Sequence, residues 1–397
     1  MALIEKIKQL ANANHKTVVA NRRHIHQHPE LSFNEFETQK FVETELKRIG
    51  ITDIQQLANT GVVAIIKSTN NPDKKTIALR GDMDALPITE ENKTEYVSQN
   101  IGVMHACGHD VHTSSLLGVA EILFALRNEF EGTVKLIFQP GEEKLPGGAS
   151  LMIKEGVLKN PEVKSVFGQH VMPFLPVGKV GFRGGLYMAS TDELYVKVKG
   201  KGGHGAMPHL NIDPVLIAAN IITSLQQIVS RKANPTIPSV LSFGKVIANG
   251  ATNVIPDEVL MEGTFRTLDE TWRSIAHTEM KKIAEMIAES MGGKCEFEIR
   301  KGYPFLKNDI ELTARAKKYA EEFLGKENVV DLDIWMAAED FSYFTQELPA
   351  CFYRLGTRNE ARGIISSVHT PTFDIDEHAL EIGAGLMAWI AVSELAV

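Results

Sequence analysis

The hydrophobic pattern changes period several times along the chain. Apolar residues recur at helical spacing over 3–27 and stop at His28-Pro29, where proline ends a helix. A second helical stretch, 38–49, ends at Gly50. Strand-like runs follow at 62–66 and 76–79, and the latter opens into Arg80-Gly81-Asp82-Met83-Asp84. Helical spacing returns over 113–128. A β-branched and aromatic run at 134–138 ends at Gln139-Pro140-Gly141, a short helix is expected at 152–155, and another strand at 165–169. Strands alternating with helices predict an α/β layer with parallel strand pairs.

Near residue 185 the pattern shifts. Residues 193–199 alternate with period two, as a strand with one wet face does. A helix is expected over 213–230 with Pro214 in its first turn, strands at 239–247 and 258–266, a helix over 269–291 and a strand at 296–300. That order, β-α-β-β-α-β, is the ferredoxin-like arrangement, and an insert of about 115 residues is of ordinary domain size. The α/β pattern resumes with helices over 310–323 and from 376 onward. The expected fold is thus α/β, with a sheet domain of residues 1–184 and 301–397 interrupted by a smaller α+β domain of residues 185–300.

Composition narrows the function. The 397 residues carry 42 Lys plus Arg against 50 Asp plus Glu, a net charge of −8. An acidic chain lacks the basic footprint of nonspecific nucleic-acid binding. Three cysteines cannot build a disulfide framework, which fits a reducing cytosol. Glu5, Lys6 and Lys8 occupy the place of a signal peptide's apolar region. The apolar run 382–392 falls short of the roughly 20 residues that span a bilayer. A cytoplasmic protein with a small-molecule substrate, no nucleic acid and no membrane partner is the expectation.

Candidate chemistry gathers at or just past strand ends, where open α/β sheets place their ligand sites. The stretches are Asp82-Met83-Asp84, His105-Ala106-Cys107-Gly108-His109-Asp110 and Gly141-Glu142-Glu143. Residues two apart in an extended segment point the same way, so Cys107 and His109 could share a metal. Alone, a buried cysteine beside a satisfied histidine is the commoner arrangement, but His105, Asp110 and His112 make the cluster dense. A cysteine nucleophile is another reading. Glu142 and Glu143 could divide base and ligand duties, although such pairs are usually solvated surface groups. His170 and His369 are lone histidines that gain weight only beside a site needing ligands. Asp340 could orient a histidine or simply cap a helix. In the inserted domain, the glycines of Gly200-Lys201-Gly202-Gly203-His204-Gly205 favour a tight turn presenting His204, or equally a flexible loop with an incidental histidine. Asn253 and Arg266 end one segment, and Arg266 could grip a carboxylate, although a surface ion pair is its commoner use.

In this order the motifs resemble one family. They run from Arg23-His24-Ile25-His26-Gln27-His28-Pro29-Glu30-Leu31-Ser32-Phe33 through Arg80-Gly81-Asp82-Met83-Asp84-Ala85-Leu86-Pro87, His105 to Asp110, Gln139 to Glu143, Gly203-His204 and Ala338-Glu339-Asp340-Phe341 to His369-Thr370-Pro371. The chain is similar to the di-metal amidohydrolases and metallopeptidases: aminoacylases, hippurate hydrolases and carboxypeptidases. Within them it is nearest to the N-acyl-amino-acid amidohydrolase branch, with auxin-conjugate hydrolases and N-acetyldiaminopimelate deacetylases. The resemblance implies a zinc-peptidase-like catalytic domain and a ferredoxin-like lid that forms a homodimer. It implies two divalent ions, zinc by the softness of a thiolate, with manganese or cobalt as alternatives. Their ligands would be Cys107, His109, Glu143, His170 and His369, with Cys107 bridging. Glu142 would be the general base, Asp84 would hold the site in register, His204 would stabilise an oxyanion, and Asn253 and Arg266 would bind substrate. The peptidase members carry His-x-Asp and a bridging aspartate where this chain has Asp82-Met83-Asp84 and Cys107. The implied reaction is hydrolysis of N-acyl-L-amino acids to a carboxylic acid and a free amino acid. Deacetylation of N-acetyldiaminopimelate, dipeptidase or carboxypeptidase action, and a non-catalytic binding protein on the same scaffold are the alternatives.

Overall fold

The structure is a computed structural model that describes residues 1–397. The chain divides into two compact units. Unit 1 comprises Met1–Gly185, Lys307–Asp333 and Asp340–Val397; unit 2 comprises Leu186–Leu306 and Ile334–Glu339.

Unit 1 begins with α1 (Leu3–Gln27) and α2 (Phe36–Ile49), then β1 (Ile54–Leu57), β2 (Gly61–Lys67) and β3 (Thr76–Asp82). It continues through α3 (His109–Ala125), β4 (Thr133–Gln139), α4 (Gly148–Lys154), β5 (Ser165–Pro176) and β6 (Val180–Phe182). The chain crosses to unit 2 along the short strand β7 (Gly185–Met188). Unit 2 holds β8 (Asp192–Lys199), β9 (Gly203–His204), α5 (Pro214–Leu225), β10 (Ser239–Ile247), β11 (Val254–Ile255), β12 (Glu258–Thr267), α6 (Glu270–Ser290) and β13 (Lys294–Lys301). After β14 (Leu306–Asn308), unit 1 is completed by α7 (Ile310–Leu324), β15 (Val329–Asp331), α8 (Ser342–Glu347), β16 (Ala350–Arg358) and α9 (His378–Ala396).

Unit 1 is built on an eight-stranded mixed sheet, ordered β1-β2-β4-β3-β5-β16-β6-β15. Its centre, β4-β3-β5-β16, is parallel. Antiparallel pairings flank that centre. Strands buried on both faces read as continuous apolar runs, and every residue of β4 is buried. Helix α9 is long and apolar enough to cross a membrane, which the run 382–392 alone had not suggested, but 78% of its apolar window is buried inside the fold. It packs on α1, α3 and α7 as a core helix.

The sheet of unit 2 is antiparallel, ordered β10-β12-β8-β13. With α5 and α6 crossing over, this is the ferredoxin-like order. Leu194, Val196 and Val198 alternate into its core beside Ile217, Ile221 and Ala284. Asp213 caps α5 through the Val215 and Leu216 amides, with Pro214 at its first position. Asp269 caps α6. The expected helix over 213–230 ends earlier, at Leu225, and a π-helical turn covers Ile228–Lys232. The segment Ile334–Glu339 joins unit 2 through backbone bonds between Trp335 and Tyr187 and between Ala189 and Ala337.

Candidate metal centre

Parallel strands deliver the site residues of unit 1. Asp82 ends β3 and Asp84 follows it; Glu142 and Glu143 lie just past β4; His170 lies on β5. Helix α3 starts at His109 and brings its N-terminus to the same place. The donor atoms of Cys107, His109 and His170 lie within 4.8 Å of one another, and so do those of Cys107, Glu143 and His369. The sulfur of Cys107 therefore belongs to two donor groups with no other member in common. A third group joins His109, Glu142 and Glu143.

The expectation of an extended Cys107-Gly108-His109 segment is corrected. Gly108 is left-handed at φ +81° and turns the chain into α3. A Cβ there would stand 2.6 Å from Val171 Cγ2, so glycine permits both the turn and the packing. His369 is also left-handed, at φ +61°, a costly state for a side-chain-bearing residue. Its N–H donates to Ala106 O at 2.7 Å, which ties its loop to the residue before Cys107.

Hydrogen bonds orient the rings. His109 Nδ1 donates to Asp84 Oδ1 at 3.1 Å, and His170 Nδ1 donates to Val171 O at 2.8 Å. Each bond leaves Nε2 as the atom offered to the cluster. His170 Nε2 lies 3.5 Å from Cys107 Sγ. Sulfur and nitrogen donors on one tetrahedral ion also lie roughly 3.5 Å apart, given bond lengths of about 2.3 and 2.0 Å. His109 Nε2 and Glu143 Oε1 are buried without a hydrogen-bond partner. Such an orphan atom costs about 1–3 kcal/mol, and ligation of a cation removes that cost.

The electrostatics agree with a cation site. Burial lowers the pKa of His109, but the charges of Asp82, Asp84 and Glu143 and the Asp84 hydrogen bond outweigh it and raise it to about 10. The surroundings thus call for positive charge at this ring, whether proton or metal. Burial, then Glu143, Glu142 and Asp82, push the Cys107 thiol well above its usual value. A thiolate here needs a cation beside it. Burial and the Arg354 charge push His170 well below the ordinary histidine range, which makes it a poor base for a cysteine nucleophile. The donor set, its orphaned atoms and its charge would fit two divalent ions.

The remaining members of the dense motif are not donors. His112 Nδ1 donates to Asp82 Oδ1 at 2.5 Å, and its Nε2 accepts the Val171 N–H at 2.9 Å, so both ring nitrogens are occupied. Asp110 accepts from Arg22 Nε at 2.7 Å and from His26 Nδ1 at 2.8 Å. His105 is buried, its pKa lowered to about 3 chiefly by burial, and its ring nitrogens join no group of three close donor atoms. Asp340 bonds Arg80, Gln139 and the Ala149 amide, so it orients the strand ends, while histidine orientation falls to Asp82 and Asp84. Glu142 is buried and accepts the Asp340 N–H at 3.3 Å; it is not a solvated surface glutamate. Arg22, Arg80 and Gln139 belong to this support, a role that the motifs containing Arg80 and Gln139 did not assign. The placement of Arg80 two residues before Asp82 on one strand was the available signal.

In unit 2, His204 pairs with Val254, and Gly205 N–H donates to Asn253 O at 2.8 Å, which places His204 and Asn253 on one small ribbon. His204 is exposed. Its Nδ1 accepts the Ala206 N–H at 3.1 Å, which leaves Nε2–H as an outward donor. Arg266 lies on β12 and donates from Nη1 to Met336 O at 3.1 Å.

Comparisons with known proteins bear on this geometry. The family model of peptidase family M20/M25/M40 matches residues 78–392. Thermostable carboxypeptidase 2 of Saccharolobus solfataricus is 38% identical over 394 residues, covering 99% of each chain. The N-acetylcysteine deacetylase of Bacillus subtilis is 40% identical over 382 residues, covering 96% of this chain and 97% of that one. Among solved structures, the YXEP protein of Bacillus subtilis, described as a dinuclear metal-binding peptidase from the M20 family, superposes with a TM-score of 0.82. It is 36% identical and covers 97% of this chain and 99% of its own.

Proposed function

The chain belongs to peptidase family M20/M25/M40 and is a hydrolase acting on amide bonds; from that premise we propose that it hydrolyses N-acyl-L-amino acids to a carboxylic acid and a free amino acid. The observation that carries this reading is the shared position of Cys107 between the His109–His170 and Glu143–His369 donor pairs, with Glu142 beside them.

We assign Cys107, His109, Glu143, His170 and His369 as ligands of two divalent ions, with zinc the expected metal and manganese or cobalt the alternatives. When bound, the ions supply Lewis acidity toward a water molecule and the amide carbonyl. Asp84 holds the His109 ring and the Glu143 amide in register through opposite oxygens of one carboxylate. Glu142 takes a proton from water at its carboxylate and returns it to the departing amine nitrogen. Its burial keeps bulk water from competing for that proton. His204 offers its Nε2–H to the oxyanion. Asn253 and Arg266 hold the substrate carboxylate, a task suited to an amide donor and a guanidinium.

A panel of acetyl, benzoyl and longer acyl derivatives of several amino acids tests the reading. Amide cleavage that chelation abolishes and metal restores is expected. Failure to cleave any member, alongside cleavage of free dipeptides, would favour a peptidase instead.

A further inference from the structure

The N-terminal motif that ends in Leu31-Ser32-Phe33 has no part in the chemistry above, yet its loop grips the residues that do. Glu35 is fully buried. Its Oε1 accepts the N–H of Gly141 at 2.8 Å and that of Phe33 at 2.9 Å, and its Oε2 accepts the Thr60 hydroxyl at 2.6 Å. Gly141, immediately before Glu142, is left-handed at φ +57°, and a Cβ there would stand 2.4 Å from the Phe33 ring. Phe33 is itself left-handed at φ +66°, a conformation that bulky residues rarely adopt. Two residues beyond Gly141, the Glu143 N–H donates to Asp84 Oδ2, the same oxygen that accepts the Ser32 hydroxyl at 2.6 Å. The Ser32–Glu35 loop therefore engages the glutamate loop at both ends: directly at Gly141 and through Asp84 at Glu143.

We propose that Glu35, with Phe33 and Ser32, clamps the Gly141–Glu143 loop and is a positioning residue for the proton transfers of Glu142. The inference rests on the assignment of Glu142 as the base. The grip is directional: one carboxylate oxygen fixes the Gly141 amide while the Phe33 ring closes the side where any larger residue would stand. Burial, together with the Asp84 charge, pushes Glu35 up to about 7. A neutral amide is therefore a close substitute: glutamine accepts both backbone amides at Oε1 and donates from Nε2 to the Thr60 oxygen. Aspartate, one methylene shorter, does not reach.

The test compares Glu35→Gln, Glu35→Asp and Glu35→Ala in the full-length, metal-saturated protein. It reads kcat, KM, thermal midpoint, metal content and amide exchange of the 138–144 segment by mass spectrometry. In Glu35→Ala and Glu35→Asp, exchange of the segment quickens and kcat falls on the order of 100-fold, the effect of displacing a reacting group by about an ångström, while KM and metal content hold. Glu35→Gln restores slow exchange and most of the lost turnover. A merely structural glutamate would change thermal midpoint without this split between kcat and KM. Should Glu35→Ala fail to fold, the aspartate and glutamine variants carry the comparison. Unchanged exchange in Glu35→Asp overturns the clamp. Faster exchange with unchanged kcat overturns the positioning role of Glu35, whereas near-normal kcat in Glu142→Gln would instead overturn the base assignment on which it rests.

Discussion

Asp84 and His109 share a buried hydrogen bond, Oδ1 to Nδ1 at 3.1 Å, while the other oxygen of Asp84 holds the Glu143 amide. One carboxylate thus sets two ligand positions at once. Asp84→Asn keeps the size but can present only one accepting oxygen, so either the ring or the amide loses its partner. We predict a 10- to 100-fold weaker divalent-metal affinity, roughly the effect of altering such an outer partner, measured by chelator competition. An unchanged affinity would deny Asp84 this role.

Cys107 tests the choice between metal and nucleophile. Its buried, protonated thiol is poorly reactive without a cation. Metal removal should abolish hydrolysis, and thiol reagents should leave the metal-loaded enzyme active because the sulfur is engaged. Activity that survives chelation but is lost on alkylation would restore the cysteine-hydrolase reading.

The inserted unit makes its own prediction. His204→Ala should lower kcat by about 100- to 1,000-fold, the range for loss of one oxyanion donor, with metal content unaltered. Steady-state kinetics on a cleaved N-acyl amino acid measures this, and an unchanged kcat would remove His204 from the mechanism.

Stability should depend on pH through Asp192. Burial would raise its pKa, but His277 and Arg273 overcome this and hold it below the usual carboxylate range. Arg273 bonds it at 2.7 and 3.0 Å, with both side chains fully buried. A carboxylate depressed in the folded state contributes stability that is present above its unfolded pKa and is lost as pH falls through the folded value. Asp192→Asn leaves the buried Arg273 charge with only the part-exposed Glu270 as its carboxylate partner and should cost up to about 3 kcal/mol at pH 7. The gap from the parent protein should begin to narrow below roughly pH 4, the unfolded carboxylate value, and keep narrowing until the parent loses the ion pair at its lower folded value. Denaturant unfolding at pH 7 and pH 3 measures it; a gap independent of pH would contradict the account.

How far the sequence could be read follows from what each signal depends on. The elements of unit 2 were legible because one wet sheet face makes residues 192–199 alternate, and because Pro214 marks the first turn of α5. The central strand β16 was not, since Ala350–Arg358 mixes cysteine, tyrosine, arginine and glycine without a period, and the buried Arg354 hides its character. The donor residues could be named from type and motif. Their geometry could not, because the left-handed turn at Gly108 lies against Val171, a residue far away in sequence. The supporting bond from Arg80 to Asp340 spans 260 positions, and no local pattern encodes a partner that distant. The same holds for Ile334–Glu339, whose place in unit 2 rests on pairing with residues near 187–189.

Glu142→Gln tests most directly whether Glu142 moves the proton during amide hydrolysis. The variant should bind about two divalent ions per chain, as a two-metal site requires, yet its kcat on an N-acyl amino acid that the parent cleaves should fall by roughly 100- to 10,000-fold. Full metal content with near-normal turnover would contradict it.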